Sequence, residues 1–354
     1  MLISAERQIK NTNFATPKTH YRLKKISFII NPISGTASKD GIPALIDARI
    51  DATKYEVQTV FTEYSGHAAE LTKSFVEQGV DVVVAVGGDG TVNEVARALR
   101  ESPTALGIIP AGSGNGLARH LMLPQTTEGA IDIINEGIVH ELDYGLINDH
   151  PFFCTCGVGF DAFISKRFAE AGKRGKITYL ENILKAGLKY DSETYSISID
   201  GGEFQSYKAF LVSIANASQY GNNAYIAPQA SMNDGLLDIV IMEPLGILTA
   251  PQVGIDLMSK TITQSARTKC FQGTDIIIRR SKPGLIHYDG DPTEATADLH
   301  VELRKKGIRM VVNAHADKSR RRPNFMQTTF SQFFNDIQVL QDETKNLIQN
   351  SLNL

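Results

Sequence analysis

No apolar stretch in this chain is long enough to cross a bilayer: runs such as residues 82–86 and 239–242 stop far short of the ~18 residues a helical span needs. Cysteine is scarce, three in 354 residues, which excludes a disulfide framework as the source of stability. Cys154 and Cys156 fall on one face of a strand, and with Cys270 as the only other thiol they make a poor metal set, so they read as buried thiols. Residues 1–22 are polar and lack the hydrophobic core of a signal peptide, from which a cytoplasmic location is expected. A net charge of −3 gives no reason to expect nucleic acid as a partner. Two familiar phosphate-binding patterns are missing too: the glycine-rich turn at residues 87–90 has neither the Gly-Lys-Ser/Thr end of a P-loop nor the G-x-G-x-x-G spacing of a dinucleotide fold. Internal repeats and low-complexity segments are absent.

What the chain does have is a buried strand that ends in a different glycine turn. Five apolar residues follow Asp81 without polar interruption, which suits a strand covered on both faces. Gly87, Gly88, Asp89 and Gly90 come next, and a helix is predicted over residues 91–100. The glycines remove side chains where a ligand would meet Cβ atoms and permit positive φ in the turn. The helix aims its first N–H groups and the positive end of its dipole at that turn, which favours bound phosphate. Asp89 adds negative charge at the same place and is expected to need a cation or a phosphate-bound metal for company.

Two more strands end in comparable loops. Residues 25–30 run into Asn31-Pro32-Ile33-Ser34-Gly35-Thr36, and residues 105–109 into Pro110-Ala111-Gly112-Ser113-Gly114-Asn115. In a parallel sheet such loops gather at the carboxyl edge, where ligands bind. Helical stretches at residues 65–78 and 91–100 alternate with these strands and with a further one at 56–61, giving a doubly wound parallel α/β domain over residues 23–140. The 354-residue length suggests a second core. Residues 141–306 are mainly strand-like, at 194–199, 209–215, 236–241, 275–280 and 299–303, with one helix predicted at 176–188, so a β-rich, sandwich-like domain is expected. After a polar tail at 1–22 and these two domains, residues 323–354 carry Phe330, Phe333, Phe334, Ile337, Leu340 and Leu347 at helical spacing, an amphipathic extension that would pack on its own protein or on a second subunit, making a homodimer possible.

In order along the chain, Asn31-Pro32 with Ser34-Gly35, the block at 87–94, Gly112-Ser113-Gly114-Asn115, Gly157-Val158-Gly159-Phe160-Asp161, Asn216, Ala227-Pro228, Asn233-Asp234-Gly235-Leu236-Leu237-Asp238 and Asp289-Gly290-Asp291-Pro292 resemble the diacylglycerol kinase catalytic-domain family. That family includes bacterial lipid kinases and sphingosine kinases and is distantly similar to NAD kinases. The resemblance spans about residues 24–315. It implies ATP-dependent phosphorylation of a lipid hydroxyl, an active site in the cleft between the domains, and a return of the chain to the first domain near residues 307–322. It also implies nucleotide contacts at Asn31, Ser34, Gly35, Thr62, Gly88, Asp89, Gly90, Thr91, Asn93, Glu94 and Ser113. Catalysis would then come mostly from holding ATP, Mg²⁺ and the hydroxyl in line.

Similar bacterial lipid kinases take the proton with the glutamate of an Asp-Gly-Glu motif. This chain has Asp291 there, which keeps the carboxylate and shortens its reach by one methylene, so Asp289 and Asp89 stand beside it as candidates. By composition alone residues 289–292 read as an acidic turn. The resemblance further implies a magnesium site made by the Asp234 carboxylate and the carbonyls of Ser231 and Leu236; few protein ligands and several waters suit that ion. A hairpin turn at Asn233-Asp234-Gly235 is compatible with it. Tyr220-Gly221-Asn222-Asn223 stands where many members have consecutive glycines.

The particular lipid is left open. Asp161 falls about where sphingosine kinases hold their substrate amine, yet members acting on neutral lipids share the motif, so a sphingoid base stands beside diacylglycerol. An NAD kinase-like enzyme, or a lipid-binding protein with weak catalysis, are the readings from other classes. Basic clusters at 173–176, 304–306 and 318–322 suit peripheral contact with an anionic membrane that carries the substrate, and equally suit solvated faces.

Overall fold

The computed structural model describes residues 22–35, 39–171, 190–244 and 250–316. The predicted helix at 176–188, the basic clusters at 173–176 and 318–322 and the C-terminal amphipathic segment lie outside the described residues.

The first domain is built on four parallel strands, β1 (Lys24–Ile30), β2 (Tyr55–Phe61), β3 (Val82–Gly87) and β4 (Ala105–Pro110), in the order β2-β1-β3-β4. Between and after them run helices α1 (Ile42–Arg49), α2 (His67–Glu77), α3 (Asp89–Leu99), α4 (Gly116–His120) and α5 (Thr127–Glu136). Every residue of β3 and β4 is buried, which is why their sequences are unbroken apolar runs rather than alternating ones. Phe28, Ile30, Val84, Leu99, Ile109 and Ile131 belong to one core that joins sheet and helices. Strand order reverses about β1, since β2 lies on one side of it and β3 on the other, and the carboxyl ends at such a reversal are where α/β sheets open a ligand crevice.

The second domain contributes β5 (Val139–Ile147), β6 (His150–Phe152), β7 (Thr155–Gly159), α6 (Phe160–Ala171), β8 (Glu193–Ile199), β9 (Gln205–Ala209), β10 (Leu211–Ala215), β11 (Leu237–Met242), α7 (Ala250–Ser259), β12 (Thr268–Gly273), β13 (Asp275–Arg279), β14 (Gly284–Tyr288), β15 (Asp291–Ala295) and β16 (Asp298–Val311). One sheet has the order β12-β11-β10-β7-β14-β15. Facing it, β16-β13-β8-β9 extend the sheet of the first domain, with β5 also paired to β16. Val158, Val212, Ile239, Ile276, Ile286 and Val301 form the core between the two layers.

Two strands differ from expectation. The single strand predicted at 209–215 is two, because the chain changes sheets at Phe210, whose N–H donates to the Met242 carbonyl and whose carbonyl accepts from Phe160. The short strand predicted at 299–303 continues to Val311: it pairs antiparallel with β5 past an irregularity between Arg304 and Ile308, and reaches β4 in parallel through Met310 and Leu106. Lys306, at φ 54°, sits in that irregularity.

Candidate active site

The loops leaving β2, β1, β3 and β4 lie side by side because they extend the sheet's own ladder. Thr62 N–H donates to the Ile30 carbonyl at 2.9 Å, Asn31 N–H to Val86 at 3.0 Å and Ala111 N–H to Gly87 at 2.7 Å. Asn31, Ser34, Gly35, Thr62, Gly88, Asp89, Gly90, Thr91 and Ser113 therefore share one edge. Side chains then tie the loop after β1 to α3 and brace it from within. Asn31 Nδ2 donates to Thr91 Oγ1 at 2.9 Å, and Ser34 Oγ to the Asn31 carbonyl at 3.0 Å.

Glycine is required here for close approach, and the expectation of positive φ at Gly87, Gly88 and Gly90 does not hold, since none of them is in the left-handed region. A Cβ on Gly87 would stand 2.6 Å from the Thr91 side chain, and one on Gly35 2.3 Å from the Ala111 carbonyl oxygen. Gly35 does take φ 64°. A Cβ on Gly90 would meet nothing within 4 Å, so that residue leaves the start of α3 open on one side. Buried Lys39 approaches the same junction, its Nζ 3.7 Å from where a Gly35 Cβ would be.

Helix α3 begins at Asp89, two residues before its predicted start, with Gly88 as N-cap. This puts Asp89 in the first turn, where Oδ1 accepts from Gly116 N–H at 2.6 Å and Oδ2 from Asn115 N–H at 2.9 Å. Both oxygens thus meet main-chain amides at the start of α4. Asn115, at φ 51°, folds its side chain back onto Gly112, accepting from its N–H and donating to its carbonyl, both at 3.0 Å. Glu94 is occupied elsewhere: its carboxylate accepts from Gly66 N–H at 2.9 Å and Ala68 N–H at 3.2 Å, capping α2 from the neighbouring helix.

One face of α3 meets the β14–β15 hairpin. Asp289 (φ 52°) and Gly290 (φ 87°) are its two left-handed turn residues, the pattern of a tight two-residue hairpin. Asn93 Nδ2 lies 3.5 Å from the Asp289 carbonyl oxygen, and Arg97 Nη2 donates to Asp291 Oδ2 at 2.7 Å. The Asp289 carboxylate points inward and accepts from the N–H groups of Phe153, Cys154 and Thr155 at 2.8, 2.7 and 3.1 Å. Burial pushes it up to about 6 despite those bonds and despite Arg97. The folded-state value is above the unfolded one, so the protein binds this proton more readily when folded. Stability from it is full below about pH 4, and ~3 kcal/mol is lost as pH rises through 6. Urea unfolding between pH 4 and 8 is expected to show the wild type losing stability relative to Asp289→Asn over that interval; a pH-independent difference would contradict this account.

Ser231, Asp234 and Leu236 lie on a turn away from these loops. Ser231 Oγ donates to Asn233 Oδ1 at 2.7 Å, and Asp234 Oδ1 accepts from Leu236 N–H at 3.1 Å. Buried Asp143, which the sequence reading missed, anchors the turn: its carboxylate accepts from Gly235 N–H at 3.0 Å and Lys306 N–H at 2.8 Å. A carboxylate flanked by Leu142 and Tyr144 within a strand was the available signal. The Asp234 carboxylate is exposed, and with the carbonyls of Ser231 and Leu236 it would make an all-oxygen donor set of the kind that suits a hydrated Mg²⁺. Arg97 was also missed, although it stands four residues from Asn93 on the same helix face.

Matches to known proteins fall on two successive segments of the chain. Residues 25–147 match the diacylglycerol kinase catalytic domain, and residues 154–312 match the YegS C-terminal NAD kinase beta sandwich-like domain. A diacylglycerol kinase of Staphylococcus aureus is 30% identical over 226 residues, 62% of this chain and 71% of that protein. The chain belongs to the diacylglycerol kinase catalytic-domain family. Another relative, the diacylglycerol kinase of Mycobacterium tuberculosis, is 26% identical over 77% of this chain and 90% of its own. A solved diacylglycerol kinase structure from Bacillus anthracis has the same fold, with a TM-score of 0.67 at 22% identity, covering 84% of this chain and all of that one.

Within this kinase family's motifs, Asp161 sits in a closed setting. Its Oδ2 lies 3.0 Å from His287 Nε2 and accepts from the Tyr220 hydroxyl at 3.0 Å, with only 10% of the side chain exposed. Burial and this carboxylate push the Tyr220 hydroxyl well above its ordinary range. Cys154 and Cys156 are buried thiols, pushed up by the same cause.

Proposed function

We propose that this kinase uses ATP and Mg²⁺ to phosphorylate the hydroxyl of a neutral lipid, diacylglycerol or a close relative. The observation that carries the reading is that α3 joins both halves of such a reaction. Its first turn borders the glycine loops, and its opposite end meets the Asp289-Gly290-Asp291 hairpin. Main-chain amides at residues 88–91 and that of Ser113 would hold the phosphates, and Asp291, with Asp89 and Asp289 as the other candidates, would receive the proton. The Asp234 carboxylate and the carbonyls of Ser231 and Leu236 would hold Mg²⁺. That ion would brace the turn electrostatically. The closed pairing of Asp161 with His287 and Tyr220 favours a neutral acceptor over a sphingoid amine, which would need that carboxylate accessible.

The acceptor would be met at a membrane surface. Among the described residues no helix is long and apolar enough to cross a membrane, and Arg304, Lys305 and Lys306 are exposed. Near an anionic surface each contributes about 1 kcal/mol, enough for reversible docking. The test is transfer of ³²P from γ-labelled ATP to diacylglycerol, monoacylglycerol, sphingosine and phosphatidylglycerol in mixed micelles, with NAD⁺ in parallel. Labelled diacylglycerol or monoacylglycerol is expected. Labelled sphingosine would overturn the neutral-lipid assignment, and labelled NADP⁺ with silent lipids would overturn the lipid reading itself.

A further inference from the structure

The carboxylate that stands in the family's proton-acceptor position is clamped by a residue of the other domain. Arg97 reaches from α3 to Asp291 at 2.7 Å, and its guanidinium carbon lies 4.8 Å from the centre of the Tyr288 ring. Tyr288 and Asp291 are directly opposed across β14 and β15, so their side chains share a face and meet the same guanidinium. Tyr288 is held in turn by His150, stacked on it at 4.5 Å with 7° between the ring planes. Arg97 Nε is buried with no hydrogen-bond partner among the described residues, so the arginine is placed by Asp291 and the ring. Its side chain is 24% exposed against 51% for Asp291: the cation lies shielded while the carboxylate projects.

A surface ion pair of this length would contribute little. Here one partner is packed on an aromatic ring, and the planar fork of arginine fixes direction where the round ammonium of lysine would not. We propose that Arg97 is a positioning residue that aims the shortened Asp291 carboxylate at the acceptor hydroxyl. The helix that starts at the phosphate loops thereby also sets the proton acceptor, and alignment of the two domains becomes a condition of transfer. This rests on the lipid kinase reading above. In the step concerned, the hydroxyl oxygen bonds to the γ-phosphorus as its proton passes to Asp291. The bond from phosphorus to the β,γ-bridging oxygen breaks, and ADP leaves with that electron pair.

The test is a cycle of Arg97→Gln, Arg97→Lys, Asp291→Asn and the Arg97→Gln/Asp291→Asn double variant, each measured for kcat and for KM of ATP and lipid. Arg97→Gln is expected to lower kcat ~10-fold or more with KM for ATP within about twofold, and to cost less than about twofold further once Asp291 is Asn. Arg97→Lys should fall between wild type and Arg97→Gln, which separates aim from charge. Losses that multiply in the double variant, or an unchanged kcat in folded Arg97→Gln, would overturn the positioning role. Should the wild type label NAD⁺ and no lipid, the lipid reading fails instead, and the same cycle on NAD⁺ decides the role of Arg97.

Discussion

Asp89→Asn is expected to lower lipid phosphorylation by ~10³-fold while the protein remains folded. The carboxylate joins two elements that the proposed phosphate site needs together, the start of α3 and the start of α4, through the amides of Asn115 and Gly116. An asparagine offers one acceptor oxygen to two donors and turns an NH₂ group against the second. A donor left without its acceptor at such a site costs about 1–3 kcal/mol, which by itself removes a factor of ten to a hundred. If Asp89 also takes part in proton transfer, the general-base contribution of about 10²–10⁴ is lost as well. Steady-state kinetics with a thermal melt as the check on folding decide the matter. A folded Asp89→Asn protein within tenfold of the wild type would show that these two bonds are not what the site depends on.

Gly112→Ala is expected to raise KM for ATP ~10-fold or more and to destabilise the protein by about 1–3 kcal/mol. The added Cβ would stand 2.5 Å from Gly88 Cα and 2.8 Å from Asn115 Oδ1. Neither neighbour gives way cheaply: Gly88 is main chain at the N-cap of α3, and Asn115 is bound to both main-chain groups of Gly112. The loops after β3 and β4 must therefore part, and the amides proposed to hold the phosphates would no longer face a common point. Isothermal titration with a non-hydrolysable ATP analogue, alongside urea unfolding, measures both effects. Wild-type affinity in the folded variant would mean that the loops can separate without loss.

How far the sequence could be read depended on the range of the interaction concerned. The buried strand, its glycine turn and the following helix are local features, and β3 and α3 lie within two residues of where the apolar run and the turn place them. The reason for the glycines was not legible: it lies in Gly88 meeting Gly112 and Gly35 meeting Ala111, contacts between loops that no spacing reveals. Glu94 is a similar case, since its place in a glycine-rich motif gave no hint that it caps the preceding helix. Residues 209–215 look like one strand because a change of sheet at Phe210 leaves the apolar pattern unbroken. Arg97, a single cation on a helix, was indistinguishable from a solvated residue until the hairpin was beside it.

The long strand β16 has a consequence for how the protein is made. It is the last strand in the described chain, yet it borders β4 and pairs along β5. During synthesis, β1 to β4 emerge first and can collapse on their helices, but the outer side of β4 stays unsealed until residue 311 has left the ribosome. The sheet of the first domain and the sandwich are thus completed together by one late element. A ribosome that stops early leaves behind an open, adhesive sheet edge, not a smaller working domain.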